Sequence, residues 1–303
     1  MNLKGTFQVG NLTIHQLSDG ANYGVRQSWW TSLEGPVDPS VWVPVLGVED
    51  AERLFPVNFG CFAVIGDGQV TLVDTGNGVV AKGREGMEGG GEMLDRLFEV
   101  GLKTTDVTRI VQTHLHSDHC GWLVKDDGGE LTFPNATVYL HENELKYWTG
   151  PASDDNRMNP FVRTRINPWV AAGKVVTFDK ELAISDALTA IPTPGHTPGH
   201  SSLLVASEGK HALLLGDVAH HPVHVEHPEW VPIIDQDRPA SIASRKKMWA
   251  LAVEKDALIT APHMPIVTLG RVRPRGDGYS YTAIRTPDGW NRERPTDYTG
   301  YPK

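Results

Sequence analysis

Thr113-His114-Leu115-His116-Ser117-Asp118-His119-Cys120-Gly121 packs four metal-ligating side chains, His114, His116, Asp118 and His119, into six positions. Imidazole and carboxylate suit zinc, and so short a segment supplies more donors than one tetrahedral ion can take from it. The surplus predicts two metal ions. A His-rich hexamer can also arise by chance among solvated residues, but position adds to composition here. The preceding Arg109-Ile110-Val111-Gln112 reads as a short buried strand, so the donors follow a strand end, where loops on a rigid scaffold carry chemistry.

The chain has 303 residues, enough to bury a large core. No repeat and no linker-like break in composition is present. One domain over 1–303 is expected, with an aromatic loop at 20–50, an insertion at 149–168 and a polar tail at 283–303. The formal charge of -9 argues against a surface that coats nucleic acid. Cys61 and Cys120 are too few for a disulfide framework and fit a reducing cytosol; Cys120 adjoins the His/Asp cluster, yet a small buried thiol is its simpler role. Met1 to Gly10 has no apolar signal region and no segment approaches membrane-spanning length, so cytoplasmic residence without a membrane partner is the expectation.

Thr6 to Val9 and Leu12 to Leu17 alternate as two strands about Gly10-Asn11, and Val57 to Ile65 with Gln69 to Asp74 form a second pair about Gly66-Asp67-Gly68. Between them, Tyr23, Trp29, Trp30 and Trp42 stand among Pro36, Pro39 and Pro44. A long aromatic loop of this kind lines a pocket or forms an oligomer contact, which keeps a homodimer open. Asp74 ends an apolar run, where a carboxylate either orients a metal-bound histidine from behind or caps its own turn. Met93, Leu94, Leu97 and Phe98 predict the core face of a helix. Within and just beyond the insertion, Phe161, Ile166 and Trp169 read as core or lid.

A second dense stretch, Thr193-Pro194-Gly195-His196-Thr197-Pro198-Gly199-His200-Ser201, follows the strand-like Leu188 to Ile191. Gly and Pro hold such a loop rigid, as a metal ligand requires. Two histidines compete in it: His200 stands beside the next strand, which leaves His196 as a turn residue or a supporting donor. Asp217 follows the apolar Ala212 to Leu215, and His220 lies three residues further on, ahead of His221, His224 and His227. Ala240 to Glu254 reads as a helix with Ile242, Trp249 and Val253 on one stripe, and His263 follows the strand-like Ala257 to Thr260.

The strand-end donors are then His114, His116, Asp118, His119, His200, Asp217 and His263, five imidazoles and two carboxylates, which fit two ions sharing a bridging carboxylate. With these motifs the chain resembles the metallo-β-lactamase superfamily over nearly its whole length. The resemblance implies an α/β fold, a four-layered αβ/βα sandwich with the metals at one sheet edge. It assigns His114, His116 and His200 to one metal, Asp118, His119 and His263 to the other, and Asp217 to both. His200 is chosen as the histidine before the following strand, and Asp74 matches the family's supporting aspartate.

Two divalent ions are implied as cofactors, zinc first, with manganese, iron or cobalt as alternatives. A hydroxide bridging them is a nucleophile near neutral pH, and no protein nucleophile is needed. Asp118 and His220 are the expected catalytic side chains, Asp118 as a proton shuttle. The motifs are similar to those of the lactonase and organophosphate-hydrolase branch, but His220 stands where the best-known acyl-homoserine lactonases carry tyrosine. The expected function is a dinuclear hydrolase opening lactones or cleaving carboxylic esters, with N-acyl homoserine lactones as the specific candidate. The alternatives are an organophosphate triester or aryl-ester hydrolase and, more remotely, a non-catalytic metal-stabilised binding module. The expected partner is a small-molecule lactone or ester.

Overall fold

Strand alternation sorts the apolar residues of this chain between two sides of each sheet, and that sorting builds four layers. In the computed structural model, which describes residues 4–26, 30–46, 54–66, 68–125, 129–264 and 269–284, two large sheets stack face to face. The first follows the order Lys4–Val9, Leu12–Arg26, Leu54–Gly66, Gln69–Val73, Arg109–Val111, Thr137–His141, Val175–Phe178, with Met87–Glu88 paired to Leu12–Arg26. The second follows Leu182–Ser185, Leu188–Pro192, Ser201–Ser207, Lys210–Leu214, Leu258–Thr260, Leu269–Arg275, Gly278–Ile284. Phe62, Val64, Val73 and Val111 of the first sheet meet Leu203, Val205 and Leu214 of the second in the shared core.

Their sequence neighbours point the other way. Ala63, Leu72 and Ile110 pack against Trp148, Ile166 and Trp169 from helices Glu142–Thr149 and Asn159–Ala171. Leu213 and Leu215 likewise pack against Met248 and Trp249 of helix Arg238–Glu254. The result is the expected αβ/βα sandwich. Within and just beyond the 149–168 insertion, Val162, Ile166 and Trp169 are fully buried and Phe161 packs against the same cluster, so these side chains are core rather than lid.

Three expectations change. The 20–50 stretch is not an irregular loop: Leu12–Arg26 runs into it, Trp30–Ser32 and Gly35–Pro36 join Val231–Pro232 in a three-stranded sheet, and Pro39–Leu46 is a helix. Trp42 on that helix is fully buried. Trp29, the side chains of Tyr23 and Trp30, and the tail from 285 onward lie outside the described residues. In helix Met93–Glu99 the buried residues are Met93 and Leu97, while Phe98 is exposed; on a helix of 3.6 residues per turn it lies about 140° round from Met93. In helix Arg238–Glu254 the buried stripe is Ser241, Ser244, Arg245, Met248, Trp249 and Ala252, with Ile242 and Val253 only half-buried. Among the described residues no helix is long and apolar enough to cross a membrane.

Candidate metal centre

The parallel pairings of Gln69–Val73 with Arg109–Val111, and of Lys210–Leu214 with Leu258–Thr260, make these strands end on the same side of their sheets. Asp74, His114, Asp217 and His263 each follow one of those ends, which is how positions far apart in sequence converge. Six of the seven expected donors come together, in the groups His114, His116, Asp217 and Asp118, His119, His263. The seventh is replaced. His196 completes the first group, and His200 stands outside it.

The reason lies in the backbone of the 193–200 loop. Thr193 N–H donates to His200 O at 2.8 Å and Gly195 N–H to Thr197 O at 3.1 Å, a fold that turns His196 inward. His200 is spent on structure: its Nε2 accepts the Asp217 N–H at 2.8 Å, and its Nδ1 lies 2.9 Å from Thr193 Oγ1. It packs under Gly216, where φ is +57° and an added Cβ would come within 2.6 Å of His200 Nε2. A ring holding a backbone N–H on its only free lone pair has none left for an ion.

Asp217 ties the two groups together. Its Oδ2 lies 3.2 Å from His196 Nε2, 3.7 Å from His114 Nε2 and 3.1 Å from His263 Nε2, and its Oδ1 lies 3.5 Å from His119 Nε2. One carboxylate thus lies within reach of ring nitrogens from both groups. Asp118 Oδ2 is 3.5 Å from both His119 Nε2 and His263 Nε2. Its side chain is 23 % exposed while those of His119 and His263 are at most 5 %, so it marks the mouth of the site.

The donor set fits divalent metal. His119 Nδ1 lies 2.9 Å from Asp74 Oδ2, and His263 Nδ1 lies 2.8 Å from the Asn58 carbonyl. Both partners only accept, so each Nδ1 carries the hydrogen and each Nε2 turns a lone pair into the site. Those two Nε2 atoms are 3.3 Å apart. Bare lone pairs repel at that distance, and a proton or a cation has to lie between them. Among the described residues His114 Nε2 and Asp217 Oδ1 are buried without a hydrogen bond, which is costly unless an ion satisfies them.

Asp74 stands behind His119, and Thr113 holds it in turn, donating N–H to Oδ1 and Oγ1–H to Oδ2, each at 2.8 Å. Asp74 pays in backbone strain with φ of +61°, a conformation Asp tolerates better than most residues. Burial, then the neighbouring His196, pulls His116 down to about 3, so its imidazole is neutral and free to ligate. Burial also lowers His119, but Asp217, Asp118 and Asp74 outweigh it and hold the ring well above its usual value, the signature of a place built for positive charge. His220 is buried with Nε2 3.2 Å from Asp217 Oδ2, and its ring stacks on His263 at 5.1 Å between centroids. Among the described residues Cys120 stands outside these ligand groups. Its buried thiol lies 3.7 Å from the Leu115 carbonyl.

Two supporting carboxylates were not foreseen from sequence. Glu144 accepts from Leu115 N at 2.9 Å and Trp148 Nε1 at 2.7 Å on one oxygen, and from Thr197 Oγ1 at 2.6 Å and Gly199 N at 3.1 Å on the other. It clamps the 113–121 loop to the loop bearing His196. Asp235 Oδ1 lies 2.8 Å from His196 Nδ1. Asp235 follows the apolar Val231 to Ile234, the same acid-after-apolar-run pattern that marks Asp74 and Asp217.

This fold and donor set define a metallohydrolase class, and comparison with known proteins places the chain in it. The family model for the metallo-beta-lactamase superfamily matches residues 59–255, and the chain belongs to that superfamily. It is 28 % identical over 247 residues to the N-acyl homoserine lactonase AttM of Rhizobium radiobacter, covering 71 % of this chain and 84 % of that one. The AiiA N-acyl homoserine lactonase of Bacillus thuringiensis subsp. kurstaki is 24 % identical over 226 residues, 70 % of this chain and 83 % of its own. Among solved structures, the hydrolase AbOPH superimposes with a TM-score of 0.78 at 26 % identity, covering 94 % of this chain and 98 % of that one. The dizinc quorum-quenching lactonase AidC, at 22 % identity, shares the fold with a TM-score of 0.78 over 96 % of this chain and all of its own.

Proposed function

We propose that this chain is a dinuclear, zinc-preferring hydrolase that opens lactone rings, N-acyl homoserine lactones first among them. The observation that carries the reading is Asp217, one carboxylate within 3.7 Å of ring nitrogens from both ligand groups. His114, His116 and His196 would hold one ion, Asp118, His119 and His263 the other, and Asp217 both. Nitrogen and oxygen donors of this kind favour zinc, with manganese, iron or cobalt as alternatives. Two ions held there would supply Lewis acidity toward the carbonyl and lower the pKa of a water that attacks it.

The side chains divide the remaining work. Asp118, at the mouth, takes the proton of the attacking water and returns it to the alkoxide oxygen released when the acyl C–O bond breaks, so one water is consumed and the lactone opens to a hydroxy acid. His220, beside Asp217, would hydrogen-bond the substrate. The likeness to AttM, itself named for N-acyl homoserine lactones, supports this substrate class. His220 also keeps the second reading, an aryl-ester or organophosphate triester hydrolase, since an imidazole does not single out a lactone carbonyl from a phosphoryl oxygen.

Turnover of an N-acyl homoserine lactone, an aryl ester and a phosphotriester by the metal-loaded protein tests this. Lactone turnover is expected to lead, and Asp118→Asn to lower it roughly 100- to 10,000-fold. A phosphotriester preference would favour the second reading, and no turnover of any of the three would end both.

A further inference from the structure

Each ligand group contains one histidine whose outward nitrogen meets a buried carboxylate. His119 has Asp74 at 2.9 Å, and His196 has Asp235 at 2.8 Å. Asp235 is 5 % exposed and comes from a segment remote from the ligand motifs. Behind it stands Arg245 on helix Arg238–Glu254, fully buried, with its Nη2 3.8 Å from Asp235 Oδ2. Neither of these two atoms has a hydrogen bond of its own among the described residues, so they face each other as a pair.

The rest of the guanidinium is committed to backbone. Its Nε donates to Val218 O at 2.8 Å, next to Asp217, and its Nη1 to Pro228 O and Trp230 O, each at 2.7 Å. One side chain thereby fixes the residue after the bridging carboxylate and the segment that leads to Asp235. The backbone repeats the link: Gln236 N–H donates to His196 O at 3.3 Å and Asp237 N–H to Gly195 O at 2.9 Å.

We propose that Asp235, held by Arg245, is a positioning residue that fixes the His196 tautomer and so sets the affinity of the His114–His116–His196 group for its metal, as Asp74 does for the other group. The inference rests on the metal assignment above. A hydrogen on Nδ1, donated to Asp235, leaves the Nε2 lone pair toward Asp217 and His116 and makes the ring a stronger donor. Without the carboxylate the ring is free to rotate or to carry its hydrogen on Nε2, and the group loses a ligand.

The test is a zinc titration of the metal-free full chain against a chromophoric chelator. The native protein is expected to take two ions, Asp235→Asn to weaken one of them roughly 10- to 100-fold and leave the other unchanged, and Asp74→Asn to weaken the opposite one. A native chain with two ions and an Asp235→Asn variant that binds both as tightly overturns this inference alone. A native chain that binds no zinc removes the metal assignment and the inference with it. If Asp235→Asn does not fold, long-range 1H–15N spectra of the zinc-loaded native protein decide: hydrogen on Nδ1 of His196 supports the role, and hydrogen on Nε2 overturns it.

Discussion

His196 and His200 are four residues apart in one rigid loop, and only the path of the backbone separates their roles. With its Nε2 spent on the Asp217 N–H, His200 is a structural residue. His200→Ala is expected to retain both metal equivalents while losing about 1–3 kcal/mol of stability, the cost of leaving that buried N–H without a partner. His196→Ala is expected to lose one equivalent. Elemental analysis and urea unfolding of the two variants separate these outcomes, and loss of metal from the His200 variant alone would reverse the assignment. The donors of the 114–119 cluster could be read directly because their identities and spacing are themselves the signal; the choice between two histidines could not, because it depends on hydrogen bonds across the loop.

The cysteines are also decided by surroundings. Burial pushes the Cys120 thiol up to about 12 and the Cys61 thiol well above its ordinary value, so both stay protonated through neutral and mildly alkaline pH. Because the thiolate is the reactive form, a colorimetric thiol reagent at pH 8 should label neither in the native protein and both after denaturation. Rapid labelling of native protein would contradict their placement.

Helices Glu142–Thr149 and Arg238–Glu254 do more than cover sheets. Each sends one buried charged side chain, Glu144 or Arg245, to the loops that carry the candidate ligands. Sequence patterning hides such residues because apolar periodicity treats every charge as a solvent-facing position. The opening hairpins were readable, since alternation and turn residues mark them locally, and so was the approximate extent of helix Arg238–Glu254; helix Pro39–Leu46, strands Trp30–Ser32 and Gly35–Pro36, and helix Asn159–Ala171 were not, because the prolines in and around them read as loop punctuation. Which face of Arg238–Glu254 is inward was not, as that stripe includes Ser241, Ser244 and Arg245. Glu144→Ala leaves four donors without their acceptor and is expected to cost about 3 kcal/mol or more. Activity should fall with it, because Leu115 and the 197–199 turn lose their common anchor. Denaturant unfolding checks the first effect; an unchanged midpoint would show that the clamp contributes nothing.

Two sheets, each helix-covered on one face, share an apolar core and bring their strand ends to one edge, where neither half holds a complete centre. The first sheet and its loops supply His114, His116, Asp118 and His119; the second supplies His196, Asp217 and His263. Each candidate ligand group therefore draws on both sheets, and the proposed metal binding would be coupled to their correct stacking. The most direct test is metal content and N-acyl homoserine lactone hydrolysis measured on the same purified protein before chelation, after it, and after return of zinc. Two equivalents per chain, with ring opening lost on chelation and regained on zinc return, are predicted; ring opening that survives complete removal of metal would contradict the dinuclear hydrolase.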